Sequence, residues 1–143
     1  MDMEQTVQLT LTTAHRYADS EDDRIDLITD GLMRSLGEGW ELEYQESELT
    51  DMGETLTSIL IQGEQVTLIR TGPINSQMVF QQGRRHHSVY ATLYGKLEIA
   101  VSTQRLENHI TAQGGVLEID YTLEADHALI DSVAFRLAVR VKE

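Results

Sequence analysis

The sequence has no cysteine and only one proline, and the first absence already excludes whole classes of protein. Without cysteine the chain has no disulfide, no thiolate nucleophile and no cysteine-ligated zinc. No apolar run approaches the ~18–20 residues that a membrane helix needs, so we expect no membrane span. The first residues also lack the basic and apolar segments of a secretory signal. Together these features predict a reducing, cytoplasmic setting.

Basic residues are scarce as well, with 11 Lys and Arg against 24 Asp and Glu and a net charge of −13. The imbalance is concentrated in residues 1–56, which hold fifteen acidic residues against three arginines. A surface of this sign repels a phosphate backbone, so we expect no nucleic-acid partner. We interpret the acidic half as the solvated outer faces of strands.

The motifs of common nucleotide-binding and hydrolytic enzymes are missing too. The chain contains no G-x-x-x-x-G-K-[ST], no H-E-x-x-H and no G-x-S-x-G. The neighbours His86 and His87 would point to opposite faces of a strand, and the other histidines have no partner at metal-ligand spacing. We therefore expect no metal, no cofactor and no assignable catalytic residue, and the pattern does not favour an enzyme.

What the sequence does contain is a long series of alternating apolar and polar residues separated by short glycine-containing turns. The last such run is the clearest, with Val133, Phe135, Leu137 and Val139 alternating with polar or small residues. This period of two is typical of strands with one buried face. We predict an all-β protein: a single domain over residues 1–143, folded as an antiparallel up-and-down (meander) β-barrel of 8–10 strands.

Residues 24–36 are the ambiguous segment. Their apolar side chains recur at helical spacing from Ile25 to Leu36, and acidic residues precede them as they often precede a helix. The same residues also fit a strand with Gly31 at a bend or bulge. The residues alone leave both interpretations open.

A set of short landmarks runs through most of the chain. They are Gly31, Tyr44-Gln45-Glu46, Arg70-Thr71-Gly72, Phe80, Gly83, Tyr90, Tyr94-Gly95-Lys96-Leu97-Glu98, Ser102-Thr103 and Tyr121. In order and spacing they resemble the YwiB-like family of uncharacterised bacterial β-barrel proteins. The resemblance implies a calycin-like barrel, similar in shape to lipocalins and fatty-acid-binding proteins, and it favours a strand for residues 24–36. It implies no activity and no catalytic residue.

Arg70 is the strongest candidate for a functional side chain. It shares the strand parity of Val66 and Leu68, so it faces the barrel interior if they do. An interior guanidinium needs an anion from the protein or from a ligand, because an unpaired buried charge is costly. Two alternatives stay open: Ile69 faces inward instead, or the break at Gly72-Pro73 places Arg70 at the solvated rim.

The neighbouring aromatic and hydroxyl side chains complete the predicted site. Tyr90, Thr92 and Tyr94 share one strand face, and the pattern does not decide whether that face or the opposite one lines the interior. If it lines the interior, hydroxyls stand beside apolar walls, as in many small-molecule pockets. With Arg70 and Phe80, these three residues form the predicted ligand-binding set.

The sequence thus predicts a barrel that binds a small hydrophobic or amphipathic ligand, with an anionic head group met by Arg70. One alternative is a protein-interaction or oligomerisation module without a ligand, docking through a strand edge or an apolar patch. A less favoured alternative is an enzyme on a lipocalin-like barrel. The sequence is compatible with a monomer or a homodimer.

Overall fold

The computed structural model describes residues 4–17, 23–46, 55–73, 75–92, 95–125 and 128–142, and the described residues form ten strands. No helix that could span a membrane occurs in this described part of the chain. The strands are β1 (Glu4–Tyr17), β2 (Asp23–Leu36), β3 (Gly39–Glu46), β4 (Thr55–Gln62), β5 (Gln65–Thr71), β6 (Asn75–Gln81), β7 (Arg85–Thr92), β8 (Gly95–Asn108), β9 (Gly114–Ala125) and β10 (Ala128–Val141).

Each strand pairs antiparallel with the next one along the chain, and β1 also pairs with β10, so the sheet closes into a barrel. This confirms the predicted all-β meander barrel and fixes the number of strands at ten. Alternate residues of each strand face the interior, which is why a sequence period of two was visible throughout. Because the sheet is closed, the described strands leave no whole edge free for a partner strand.

Residues 24–36 form β2, so the interpretation as a strand is confirmed. The helical spacing was a coincidence of apolar residues on both faces: Met33 is fully buried, whereas Ile28 is 66% exposed on the outer face. The register with β1 runs through Gly31 without a break, so that ladder has no bulge there, whereas the ladder with β3 ends beside Gly31 at Leu32. Gly31 instead marks a close approach, because a Cβ there would lie 2.6 Å from the backbone oxygen of Glu43.

The two ends of the barrel differ in how they are filled. At the end where β1 begins and β10 ends, which we call the closed end, large apolar side chains fill the interior, and the connection from β8 to β9 adds the buried Ile110. At the opposite end, which we call the open end, the described side chains leave part of the interior unfilled. The fully buried side chains that fill the interior at and near the closed end include Val7, Leu9, Met33, Leu42, Ile61, Val66, Leu117 and Leu137.

The ladder between β6 and β7 is the shortest in the barrel wall. Side chains bridge part of the remaining length: the Ser88 hydroxyl donates to the backbone oxygen of Gln77. A ring nitrogen of His86 also lies 3.3 Å from the side-chain oxygen of Gln81. Among the described residues the backbone register of this ladder holds two pairs, Asn75 with Ala91 and Ser76 with Tyr90.

The outer face carries the acidic residues in ion pairs. Arg34 on β2 lies 3.1 Å from Glu41, 3.3 Å from Glu43 and 3.3 Å from Glu4. Hydrogen bonds to Glu41, Glu43 and Glu4 raise the pKa of Arg34 further above its ordinary value. Glu41 and Glu43 are thus paired surface carboxylates, in agreement with the interpretation of the acidic half as an outer strand face.

Candidate functional site

The interior of the barrel contains a cavity of about 430 Å³ toward the open end. This volume lies in the range of roughly 300–1,000 Å³ that is common for small-molecule sites. Most of the wall is apolar, because the inward positions of nearly every strand carry aliphatic or aromatic side chains. They include Leu11, Leu27, Ile59, Met78, Ile99 and Phe135.

Arg70 is one of the polar side chains that line this cavity. It follows Val66 and Leu68 on the inward face of β5, both of which are buried and also line the cavity. Arg70 therefore has the inward parity and Ile69 does not, and the Arg70 side chain is half-buried near the open end of the barrel. Within the described residues, Arg70 makes no hydrogen bond and lies within ion-pairing distance of no carboxylate, and its Nε is buried without a partner.

Tyr121 on β9 lies in the same cavity and is 9% exposed. Its ring packs against that of Phe80, with centroids 4.6 Å apart and planes tilted by 55°. Burial raises the pKa of the Tyr121 hydroxyl to about 12, while the positive charge of Arg70 lowers it and the negative charge of Asp131 raises it. The hydroxyl is therefore protonated at neutral pH, and both charges are close enough to act on it.

Replacing Tyr121 with phenylalanine should remove a single phenol that ionises late. In a titration of phenolate absorbance, the difference between the two proteins should develop near pH 12 and not near the ordinary value of about 10. The raised pKa adds stability that is complete below pH 10 and is lost as the pH rises through 12, because only the unfolded chain ionises early. A difference that develops near pH 10 would contradict this assignment.

A histidine and an aspartate from β1 and β10, the two strands whose pairing closes the barrel, are in contact near Tyr121. The Nδ1 of His15 on β1 lies 2.6 Å from Oδ2 of Asp131 on β10. Asp131 is 7% exposed, and its other oxygen, Oδ1, is buried without a hydrogen-bond partner among the described residues. His15 lines the cavity, and the buried Asp131 anchors its ring.

The structure describes only part of the three predicted residues at and after β7. Tyr90 stands opposite Leu97 in the register, and Thr92 stands opposite Gly95, but their side chains lie outside the described part. Tyr94 itself lies outside the described residues. Val89 is 45% exposed, so the odd-numbered positions at this point of β7 face solvent. The role of these three residues in ligand binding stays a prediction.

Residues 9–137 match the family model described as Domain of unknown function (DUF1934). The chain belongs to this family. The DUF1934 barrel is also similar to "Crystal structure of ywiB protein from Bacillus subtilis", with a TM-score of 0.87, 18% sequence identity, and coverage of 98% of this chain and 94% of that chain. At this identity the likeness shows the fold. No curated protein matches the chain. The expected resemblance to the YwiB-like family is confirmed.

Sequence reasoning missed polar residues that line the cavity of this DUF1934 chain, including His15 and Tyr121, and it missed the contact of His15 with Asp131. His15 and Asp131 continue the inward parity of an apolar run beyond the point where the run stops being apolar, whereas Tyr121 lies within the inward run of β9. His15 continues the alternation of Val7, Leu9 and Leu11, and Asp131 precedes that of β10. Extending the period of two to the ends of β1 and β10 would have placed His15 and Asp131 in the interior, where the alternation already placed Tyr121.

The arginine and histidine pairs at positions 84–87 of this DUF1934 chain do not line the cavity. Arg84 is exposed at the closed end, and Arg85 beside it pairs with Glu124 at 2.9 Å. His86 is half-buried and His87 exposed, which agrees with their predicted placement on opposite faces. In the described ranges, no group of three His, Asp or Glu side chains is arranged to hold a metal ion.

Proposed function

We propose that this DUF1934 barrel binds a small amphipathic molecule whose acidic head group pairs with Arg70. The observation that carries the proposal is an arginine on an apolar cavity wall with no carboxylate partner among the described residues. An unpaired charge in such a place is unfavourable, because the wall replaces its water without replacing its hydrogen bonds. An anionic head group would supply both the charge and the acceptors.

The rest of the cavity suits an apolar tail. Its wall is mostly aliphatic and aromatic, and each square ångström of apolar ligand surface removed from water contributes roughly 25 cal/mol. Barrels of eight or more strands can leave interior space for a ligand. The head group and the tail are thus accommodated by different parts of one cavity.

The strongly acidic surface does not oppose this proposal. The net charge of −13 repels an anion at long range, but physiological salt screens charges beyond about 8 Å. Recognition of an acid must therefore be local, at a cation held in the wall. Arg70 is a cation in that position.

A series of probes with one tail and different head groups tests the proposal. Dodecanoate, dodecanol and dodecylamine would be titrated into the protein by calorimetry at fixed pH and salt. We expect dodecanoate to bind about tenfold more tightly than dodecanol, and dodecylamine most weakly, because one charge-assisted hydrogen bond is worth about 1.5–3 kcal/mol. Equal affinity for the three, or no binding of any, would refute the proposed function.

A second candidate is docking of a partner protein at the open end. It is favoured by three apolar side chains that line the cavity and are still exposed, Ile25 at 46%, Leu97 at 44% and Ile130 at 42%. An exposed apolar rim of this kind is typical of interaction sites. Native mass spectrometry separates the two candidates, since ligand binding adds a small mass to the chain, whereas docking of a partner protein, such as a second copy of the chain, adds a protein-sized mass.

A further inference from the structure

We propose that the ligand enters the cavity tail first from the open end, and that the cavity accepts amphiphiles with an acidic group at one end and rejects those with an acidic group at each end. This inference rests on the proposed function, from which it takes the acidic head group at Arg70. It adds the direction of binding and the chemical class of the far end of the ligand.

The cations of the cavity wall lie near its mouth at the open end. Among the described residues that line the cavity, His15 and Arg70 are the side chains that can carry a positive charge. Arg70 is the residue before the last of β5, and His15 lies two residues before the end of β1, and both of these strands end at the open end. Since Asp131 already contacts the His15 ring, an acidic head group is directed to Arg70 and stays near the mouth.

The wall becomes less exposed and wholly apolar along β5 toward the closed end. Arg70 is half-buried, Leu68 is 8% exposed and Val66 is 1% exposed. The deepest lining residues of their strands, which we call the floor, are all buried and apolar. They are Leu11 on β1, Ile59 on β4, Val66 on β5, Phe80 on β6 and Ile119 on β9.

The packing behind the floor closes the cavity on the side of the closed end. On three strands the floor residue is followed, two positions toward the closed end, by a fully buried residue that does not line the cavity. These fully buried residues are Leu9 on β1, Ile61 on β4 and Leu117 on β9. The described side chains thus give the cavity a mouth at the open end and a sealed floor opposite to it.

One polar side chain, Tyr121, packs against the floor residue Phe80. Burial raises the pKa of its hydroxyl, so the phenol is neutral at neutral pH and supplies no charge that could balance an anion. Within the described residues, the floor therefore offers a second carboxylate apolar surface and no cation. A carboxylate buried there without a partner is strongly unfavourable, whereas an alkyl end is favourable.

Two isomeric diacids test the inference on the wild-type protein. Dodecanedioate has its carboxylates at opposite ends of the chain, whereas nonylmalonate has both at one end and a free tail. At a pH where all carboxyl groups are ionised the isomers carry the same charge, so the acidic surface repels them equally. By calorimetry we expect nonylmalonate to bind at least about tenfold more tightly, because dodecanedioate must either bury an unpaired carboxylate or fold back on itself.

A change in the floor should lengthen the preferred tail. In a series of alkanoates extended one carbon at a time, each methylene removed from water should increase the affinity about fourfold until the tail reaches the floor. In Val66→Ala, which removes two carbons from the floor, the increase should continue for about two further methylenes. Ile25→Ala truncates an exposed side chain at the mouth and should not change the length at which the increase stops.

The outcomes separate this inference from the proposed function. Equal binding of the two isomers, or tighter binding of dodecanedioate, overturns the inference, and the proposed function then stands on dodecanoate against dodecanol. An unchanged length limit in a Val66→Ala protein that melts cooperatively also overturns it, because the tail then ends away from the floor. If Val66→Ala does not fold, the isomers on the wild type decide. If none of the acids binds, the proposed function and the inference both fail.

Discussion

Replacing Arg70 with methionine should weaken dodecanoate binding at least about thirtyfold and leave dodecanol binding nearly unchanged. Loss of one member of a close, desolvated charge pair typically costs 2–5 kcal/mol, and 2 kcal/mol corresponds to about thirtyfold in affinity. Methionine is unbranched and apolar, so it continues the wall formed by Val66 and Leu68. Calorimetric titration of both probes at one salt concentration measures the effect.

Arg84→Met is the matched control for this prediction. It removes the same charge from an exposed position at the closed end, so it should change neither affinity by more than about twofold. The stability of Arg70→Met gives a second check, because removal of an unpaired, half-buried charge should leave the melting temperature unchanged or raised. An Arg70→Met protein that is destabilised and still binds dodecanoate normally would show that the arginine has a structural role.

Replacing Gly39 with alanine should lower the free energy of unfolding by about 3 kcal/mol or more. A Cβ at position 39 would lie 1.9 Å from the backbone oxygen of Ile61 and 3.0 Å from its carbonyl carbon. These atoms belong to β4, which pairs with β3 at Trp40, so relief of the clash must disturb the ladder itself. Overpacking of a rigid site typically costs 1–3 kcal/mol and sometimes more. Urea denaturation followed by circular dichroism measures the loss.

Gly37→Asn is the control in the same turn. Gly37 has a φ of 57°, and a Cβ there would meet no atom within 4 Å. Asparagine tolerates this left-handed conformation better than most residues, so we expect a loss below about 1 kcal/mol. If Gly37→Asn is as damaging as Gly39→Ala, then conformational strain in the turn, and not the contact with Ile61, limits stability.

The architecture was predictable from sequence because its signal is local. In a strand with one buried face, apolar side chains recur at every second residue. The pattern is clear in β10, where Val133, Leu137 and Val139 lie on one face. The same local signal was weakest in β2, where the exposed Ile28 imitates a helical stripe. The family resemblance, and not the periodicity, decided that segment.

The site was less predictable because its contacts are not local. Parity placed Arg70 with Val66 and Leu68, but no sequence pattern says which residues face it across the interior. His15 and Asp131 are separated by 116 residues and meet only because β1 pairs with β10. Barrel closure creates that contact, and the chain carries no short-range sign of it.

The short ladder between β6 and β7 makes the stability of the barrel wall uneven. Amide protons in the longer ladders, including that of β6 with β5, are held by continuous pairing, whereas most of the contact between β6 and β7 depends on side-chain bridges such as that from Ser88 to Gln77. The least costly local unfolding event is therefore separation of these two strands, and deuterium should enter their amides first. The closed barrel therefore has a preferred site of local opening, which is the seam between β6 and β7.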